Sequence, residues 1–150
     1  MSKAGYPIWW DTTVTIYNKS VDKQTQVVMW YKSTVTDCFW QLRGSEVLIG
    51  EVSLDSKALI CRIPKDARFK EKYEWLNMPN DQKQNYFTLG LDDIIVKGNV
   101  DDVIDEYTAG SRSSDLLKKY AGLQGCFKVQ KFTNNTGIGR NNEHYLAQGI

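Results

Sequence analysis

Polar and apolar residues alternate along Thr12-Thr13-Val14-Thr15-Ile16-Tyr17. This period of two marks a half-buried strand with Val14 and Ile16 facing inward. A polar break, Asn18-Lys19-Ser20-Val21-Asp22-Lys23-Gln24, follows. Two runs dense in β-branched and aromatic residues come next, Val27-Val28-Met29-Trp30-Tyr31 and Val35-Thr36-Asp37-Cys38-Phe39-Trp40. Such residues suit a pleated surface, so the pattern predicts an antiparallel meander, punctuated at Gly44. Residues 46–49 and 58–63 supply two more strands, the second closed by Pro64, which has no N–H to give a ladder.

The middle of the chain changes period. Phe69, Tyr73 and Leu76 fall at helical spacing within a charged stretch, which predicts a short helix or irregular excursion, capped by Asp66 and stopped at Met78-Pro79. A polar stretch, residues 80–85, leads into Tyr86-Phe87-Thr88-Leu89. The continuous apolar run Ile94-Ile95-Val96, bounded by turn residues, fits a strand buried on both faces. Ser113-Ser114-Asp115-Leu116-Leu117-Lys118-Lys119-Tyr120 reads as a helix, with a serine cap, an early acid, late lysines and Gly122 past its end. Strands return at 126–130 and 145–147, joined by a glycine- and asparagine-rich loop at 134–142 that is long for a hairpin.

Short strands with turn signals and one or two helices point to a mainly β fold, a small antiparallel barrel or sandwich. At 150 residues the chain fits a single domain, because two halves would each be marginal. The helical or irregular insertions fall at about 66–85 and 101–122. The net charge of +1, from 19 basic and 18 acidic residues, gives no overall pull toward phosphate backbones or membrane surfaces. No run of about 18 apolar residues is present to span a bilayer, and the first residues lack the apolar core of a secretory signal. Cys38, Cys61 and Cys126 lie far apart in apolar stretches, which predicts reduced, buried thiols behaving as small hydrophobes.

Candidate chemistry is sparse. His144 is the single histidine and only Glu143 adjoins it, so it lacks the nucleophile and orienting acid that general-base catalysis requires. Gly137-Ile138-Gly139-Arg140 misses both the third glycine of a dinucleotide turn and the Gly-Lys-Ser/Thr of a phosphate loop. The acids Asp92, Asp93, Asp101, Asp102, Asp105 and Glu106 do not match a calcium loop. No metal, cofactor or catalytic residue is expected, and the chain reads as a binding protein rather than an enzyme. Five tryptophans and eight tyrosines carry more weight. Neighbours on a strand face opposite ways, so Trp9 with Trp10, Trp30 with Tyr31 and Phe39 with Trp40 cannot all enter one core. Either a second layer covers the other face, or Trp9, Trp10, Trp30 and Trp40 anchor a partner chain. The loop residues Gly137, Gly139, Arg140, Asn141 and Asn142 form a second candidate interface. Arg140 is the only charge between Lys131 and Glu143, and would meet an acidic neighbour or DNA phosphates.

Residues 85–90, 93–98, 112–117 and 139–145 together resemble a family of uncharacterised proteins encoded by phages and prophages of Gram-positive hosts. More loosely, Val14-Thr15-Ile16-Tyr17, a following hairpin and long loop, and the pair of strands around Leu91-Asp92-Asp93 resemble head-closure (stopper) proteins of long-tailed phages. That resemblance implies a homo-oligomeric ring, a hexamer, in the virion neck. It would be assembled in the bacterial cytoplasm, between the portal-side adaptor and the tail, with a loop able to reach packaged DNA. A tail terminator, a minor capsid protein or a small inhibitor of a host enzyme or defence system are the competing readings.

Overall fold

The computed structural model describes residues 6–49, 52–121, 125–137 and 143–149. Along the chain run β1 (Thr12–Val21), β2 (Val28–Ile49), β3 (Val52–Pro64), α1 (Lys72–Leu76), α2 (Asn80–Lys83), β4 (Ile94–Lys97), α3 (Ser113–Ala121), β5 (Cys126–Lys128), β6 (Lys131–Asn135) and β7 (His144–Gly149). The seven strands form one antiparallel sheet in the order β5-β4-β1-β2-β3-β7-β6.

The sheet doubles over on itself, and β2 makes the fold. Through Cys38 this strand pairs with β1, and from Phe39 onward it pairs with β3. The handover falls beside Asp37, whose φ of 61° lies in the left-handed region, and beside a register shift between Thr12 and Val14 in β1. A residue out of the pleat and an irregular ladder bend a sheet. The two halves then face each other across the main core. Val14, Ile16 and Val35 come from one half, and Leu59, Cys61, Ile63 and Ala147 from the other. The architecture is mainly β and sandwich-like. Its ladder stays open, although β5 and β6, at opposite edges, are separated only by Val129 and Gln130. Gln130 N donates to Gln148 O at 2.8 Å, carrying the chain from one edge to the other. Gly149 sits at this junction, where a Cβ would lie 2.2 Å from Lys128 O and 2.6 Å from Phe127 Cδ2.

The two insertions cover what the sheet alone leaves bare. Residues 98–121 lay Ile104 and Leu116 on the outer face of β1 and β4, against Tyr17, Ile94, Val96 and Cys126. Burial on both faces explains the unbroken apolar run at β4. The excursion after β3 brings Phe87 and Leu89 into the main core and seats Trp75, fully buried, edge-on to Tyr31 at 5.5 Å.

Several expectations are corrected here. The polar break at 18–24 starts only after Val21, because Asn18 is buried and its amide pairs with the backbone of Thr88. The predicted strands at 27–31, 35–40 and 46–49 are one strand, and Gly44 does not interrupt it. The helix expected after Asp66 is confined to α1, with Trp75 as its buried residue. Tyr73, placed inward by spacing, is 82% exposed. Asp66 does not cap it; that carboxylate binds the backbone N–H and guanidinium of Arg68 instead. The predicted loop at 134–142 begins later, since Asn134 and Asn135 belong to β6.

Candidate functional site

The outer face of the β2–β3–β7 half carries the first candidate residues. Trp10 is 6% exposed. It stacks on Phe39 at 6.1 Å, meets the edge of His144 at 5.6 Å, and contacts the tilted ring of Tyr6 at 5.2 Å. Arg62 lies over the same Phe39 ring at 5.7 Å. Tyr6 OH reaches back to Glu143 O, tying the N-terminal segment down. Adjacent aromatics thus divide between layers. Phe39 faces outward to Trp10, whereas Trp40 packs on the main core 5.3 Å from Phe127. Trp30 faces the second core and donates its indole N–H to Glu106 Oε1 at 3.1 Å, while Tyr31 faces Trp75. Of the four candidate tryptophans, Trp9 alone is largely exposed, at 63%, beside Ile8 at 78%.

In the candidate loop, Gly137 has a φ of 79°, a conformation open chiefly to glycine, and its N–H donates to Glu143 Oε2 at 3.1 Å. Gly139, Arg140, Asn141 and Asn142 lie outside the described residues.

The acids are dispersed rather than gathered. Asp93, with no exposed surface, accepts from Lys72 Nζ at 2.8 Å and from Lys19 N at 3.0 Å. Burial raises its pKa above the usual carboxylate range, against the opposing pull of Lys72. Asp102 accepts from Lys119 at 2.7 Å and from Tyr120 OH at 2.6 Å, and these bonds lower its pKa. Burial pushes Glu106 upward, but bonds from Ser113 and Trp30 outweigh it and leave its pKa lowered. The Glu106 bond to Ser113 N and that of Asp115 to Arg112 N tie the start of α3. Among the described residues no group of three or more metal-ligating side chains converges. Cys38, Cys61 and Cys126 are buried free thiols, and burial raises Cys61 and Cys126. His144 meets Asn135 Nδ2 through Nε2 at 3.3 Å.

Sequence reasoning missed the most extended feature. The β2–β3 pairing continues from Leu42↔Leu59 out to Ile49↔Val52, whereas β7 pairs with β3 only from Leu59 to Pro64. Beyond Leu59, among the described residues, β2 and β3 form a ribbon of two strands with no third. By register Val47 stands opposite Leu54 and Ile49 opposite Val52. The apolar run Val47-Leu48-Ile49 before Gly50, with Val52 and Leu54 after it, was the signal available.

A family profile described as a family of unknown function (DUF6751) matches residues 9–149. The chain belongs to this family. Comparisons with curated proteins and with solved structures return no match. The DUF6751 match spans β1 through β7, so the doubled sheet, both insertions and the ribbon all lie within the family's domain. No described helix is long and apolar enough to cross a membrane.

Proposed function

We propose that this protein works by binding other protein chains, as a head-closure ring in the neck of a long-tailed phage. In this reading copies of the chain assemble with each other, a portal-side adaptor and a tail-side protein, and help retain packaged DNA. The protein acts by association rather than by catalysis and requires no cofactor or metal. The observation that carries the reading is the β2–β3 ribbon. Two strands without a third are marginal in water, and both outer edges of the ribbon keep backbone donors and acceptors without a ladder partner among the described residues. Open strand edges of this kind suit the addition of a strand from another chain. Exposed Ile8 and Trp9 add apolar surface, and residues 85–90, 93–98, 112–117 and 139–145 supply the resemblance to phage proteins.

Replacing residues 44–57 by a two-residue turn in the encoding phage tests the reading. The expected result is DNA-filled heads that lose DNA or fail to join tails, with the isolated domain still folded. Normal yields of tailed, filled particles overturn it. Sedimentation of the purified protein adds a check on the ring, since a tight dimer at low concentration contradicts a six-fold assembly.

A further inference from the structure

The turn after β1 and the α1–α2 excursion meet around a cavity of about 260 Å³, lined by Val21, Asp22, Lys23, Leu76, Asn80 and Lys83 among others. Lys83 is only 4% exposed. Its ammonium donates to Ser20 Oγ at 2.9 Å and to Asn80 Oδ1 at 3.3 Å. The Trp75 ring lies 5.3 Å from Nζ and the Tyr31 ring 6.0 Å. Neutral acceptors and ring faces solvate a cation in part, but no carboxylate stands at ion-pair distance from Lys83 among the described residues. A buried charge of this kind is costly without a counter-charge.

The surroundings accentuate the imbalance. Lys23 also lines the cavity, with Nζ 3.2 Å from Asn77 Oδ1. Asp22 is the acid on the same wall, and its Oδ1 already accepts from Gln24 N at 2.8 Å and Thr25 N at 3.0 Å. Lys72 approaches from α1, with its ammonium bound to Asp93 at 2.8 Å. Burial depresses the Lys83 pKa, Lys23 depresses it further, Asp22 opposes them and Lys72 adds to the depression. Two lysines therefore look into a space that one bound carboxylate does not neutralise.

We propose that this cavity binds a single small oxyanion, a carboxylate or a phosphate, between Lys83 and Lys23. An ammonium has three N–H donors, and Lys83 commits two of them to Ser20 and Asn80. The third meets the anion as a charge-assisted bond, the stronger class of hydrogen bond. The cavity is smaller than the range typical of drug-sized ligands, about 300–1,000 Å³, so the ligand is a small acid or the anionic end of a larger one. This site stands apart from the ribbon, and neither proposal depends on the other.

The test is an NMR titration of the full chain with sodium acetate and, separately, inorganic phosphate, with chloride adjusted to constant ionic strength. The expected result is a saturable response to at least one anion at residues 21–24 and 76–83, with movement of the Lys83 Nζ signal. Lys23→Gln, at an exposed position, keeps the fold and weakens binding several-fold, while Lys83→Met abolishes it. No saturable response to either anion overturns the proposal. So does saturation that leaves the Lys83 Nζ signal unmoved, or affinity unchanged in Lys23→Gln. Should Lys83→Met not fold, the Nζ signal and Lys23→Gln decide the matter.

Discussion

Asn18 lies mid-strand in β1 with no exposed surface. Its Nδ2 donates to Thr88 O at 2.6 Å and its Oδ1 accepts from Thr88 N at 3.2 Å, so the side chain gives an irregular segment the two bonds a strand would give. Asn18→Leu strands both backbone groups, each at a cost of about 1–3 kcal/mol. A loss of roughly 2–6 kcal/mol is expected in the free energy of unfolding, read from urea denaturation. The hydroxyl of the same Thr88 is buried with no partner among the described residues. Thr88→Val is therefore expected to be neutral or stabilising by up to about 1 kcal/mol, a contrast that separates hydrogen bonding from packing. Asp93 is the charged counterpart. The Lys72 stem passes over Gly90, where a Cβ would stand 3.0 Å from Lys72 Cδ, to reach the buried carboxylate. Asp93→Ala leaves Lys72 without its partner and is expected to cost about 3 kcal/mol or more. Pairing it with Lys72→Met should recover most of that loss, read as a double-mutant cycle.

Among the elements, β2 shows how a strand joins two ladders. Its 22 residues serve β1 first and β3 afterward, and Asp37, at φ 61°, stands at the change. A left-handed conformation costs a residue other than glycine roughly 1–2 kcal/mol. Asp37→Gly is accordingly expected to hold or raise the melting temperature, and Asp37→Val to lower it, because β-branching resists that conformation. The helix α1 carries a related lesson. Five residues are too few for periodicity to choose a face, and the large indole of Trp75, not the spacing of Phe69, Tyr73 and Leu76, determines what is buried. Helix α3 behaves more nearly as its pattern implies: Leu116 is buried and Lys118 and Lys119 are exposed. Its N-terminal turn is bonded by the carboxylates of Glu106 and Asp115.

At the scale of the whole molecule, opposing carboxylate shifts shape the acid limb of stability. Asp102 has its pKa lowered, chiefly by the Lys119 hydrogen bond and then by Tyr120. Its contribution is present above the unfolded value of about 4 and is lost as pH falls through the lower folded value. Asp93 has its pKa raised by burial, so its sign is reversed: the folded state holds that proton more tightly, and stability falls as pH rises through the raised value. Urea midpoints measured between about pH 2.5 and 7 should fall on the acid side, and Asp102→Asn should flatten that limb. The close approach of the two edges of the open, doubled sheet rests on Gly149. A Cβ there meets Lys128 backbone at 2.2 Å, and neither wall is a flexible side-chain end. Gly149→Ala is expected to destabilise by about 1–3 kcal/mol, visible as a lowered melting temperature.

The strand-rich class, the doubly buried run at β4, the helix at α3 and the buried thiols were legible in the sequence, because each rests on residues within a few positions of one another. The tertiary structure decided what depends on distant partners. Asn18 continues a strand only because Thr88, 70 residues away, receives its amide. The runs in β2 fuse because β1 and β3 offer successive ladders, and β6 exists because β7 pairs with it. Adjacent aromatics took opposite faces as the period of two demands, but only the covering layers showed that Trp10, Trp30 and Trp40 contribute to packing within the chain while Trp9 remains largely exposed. The Lys83 cavity was equally hidden, since its walls come from a hairpin turn and two short helices that local patterning cannot bring together.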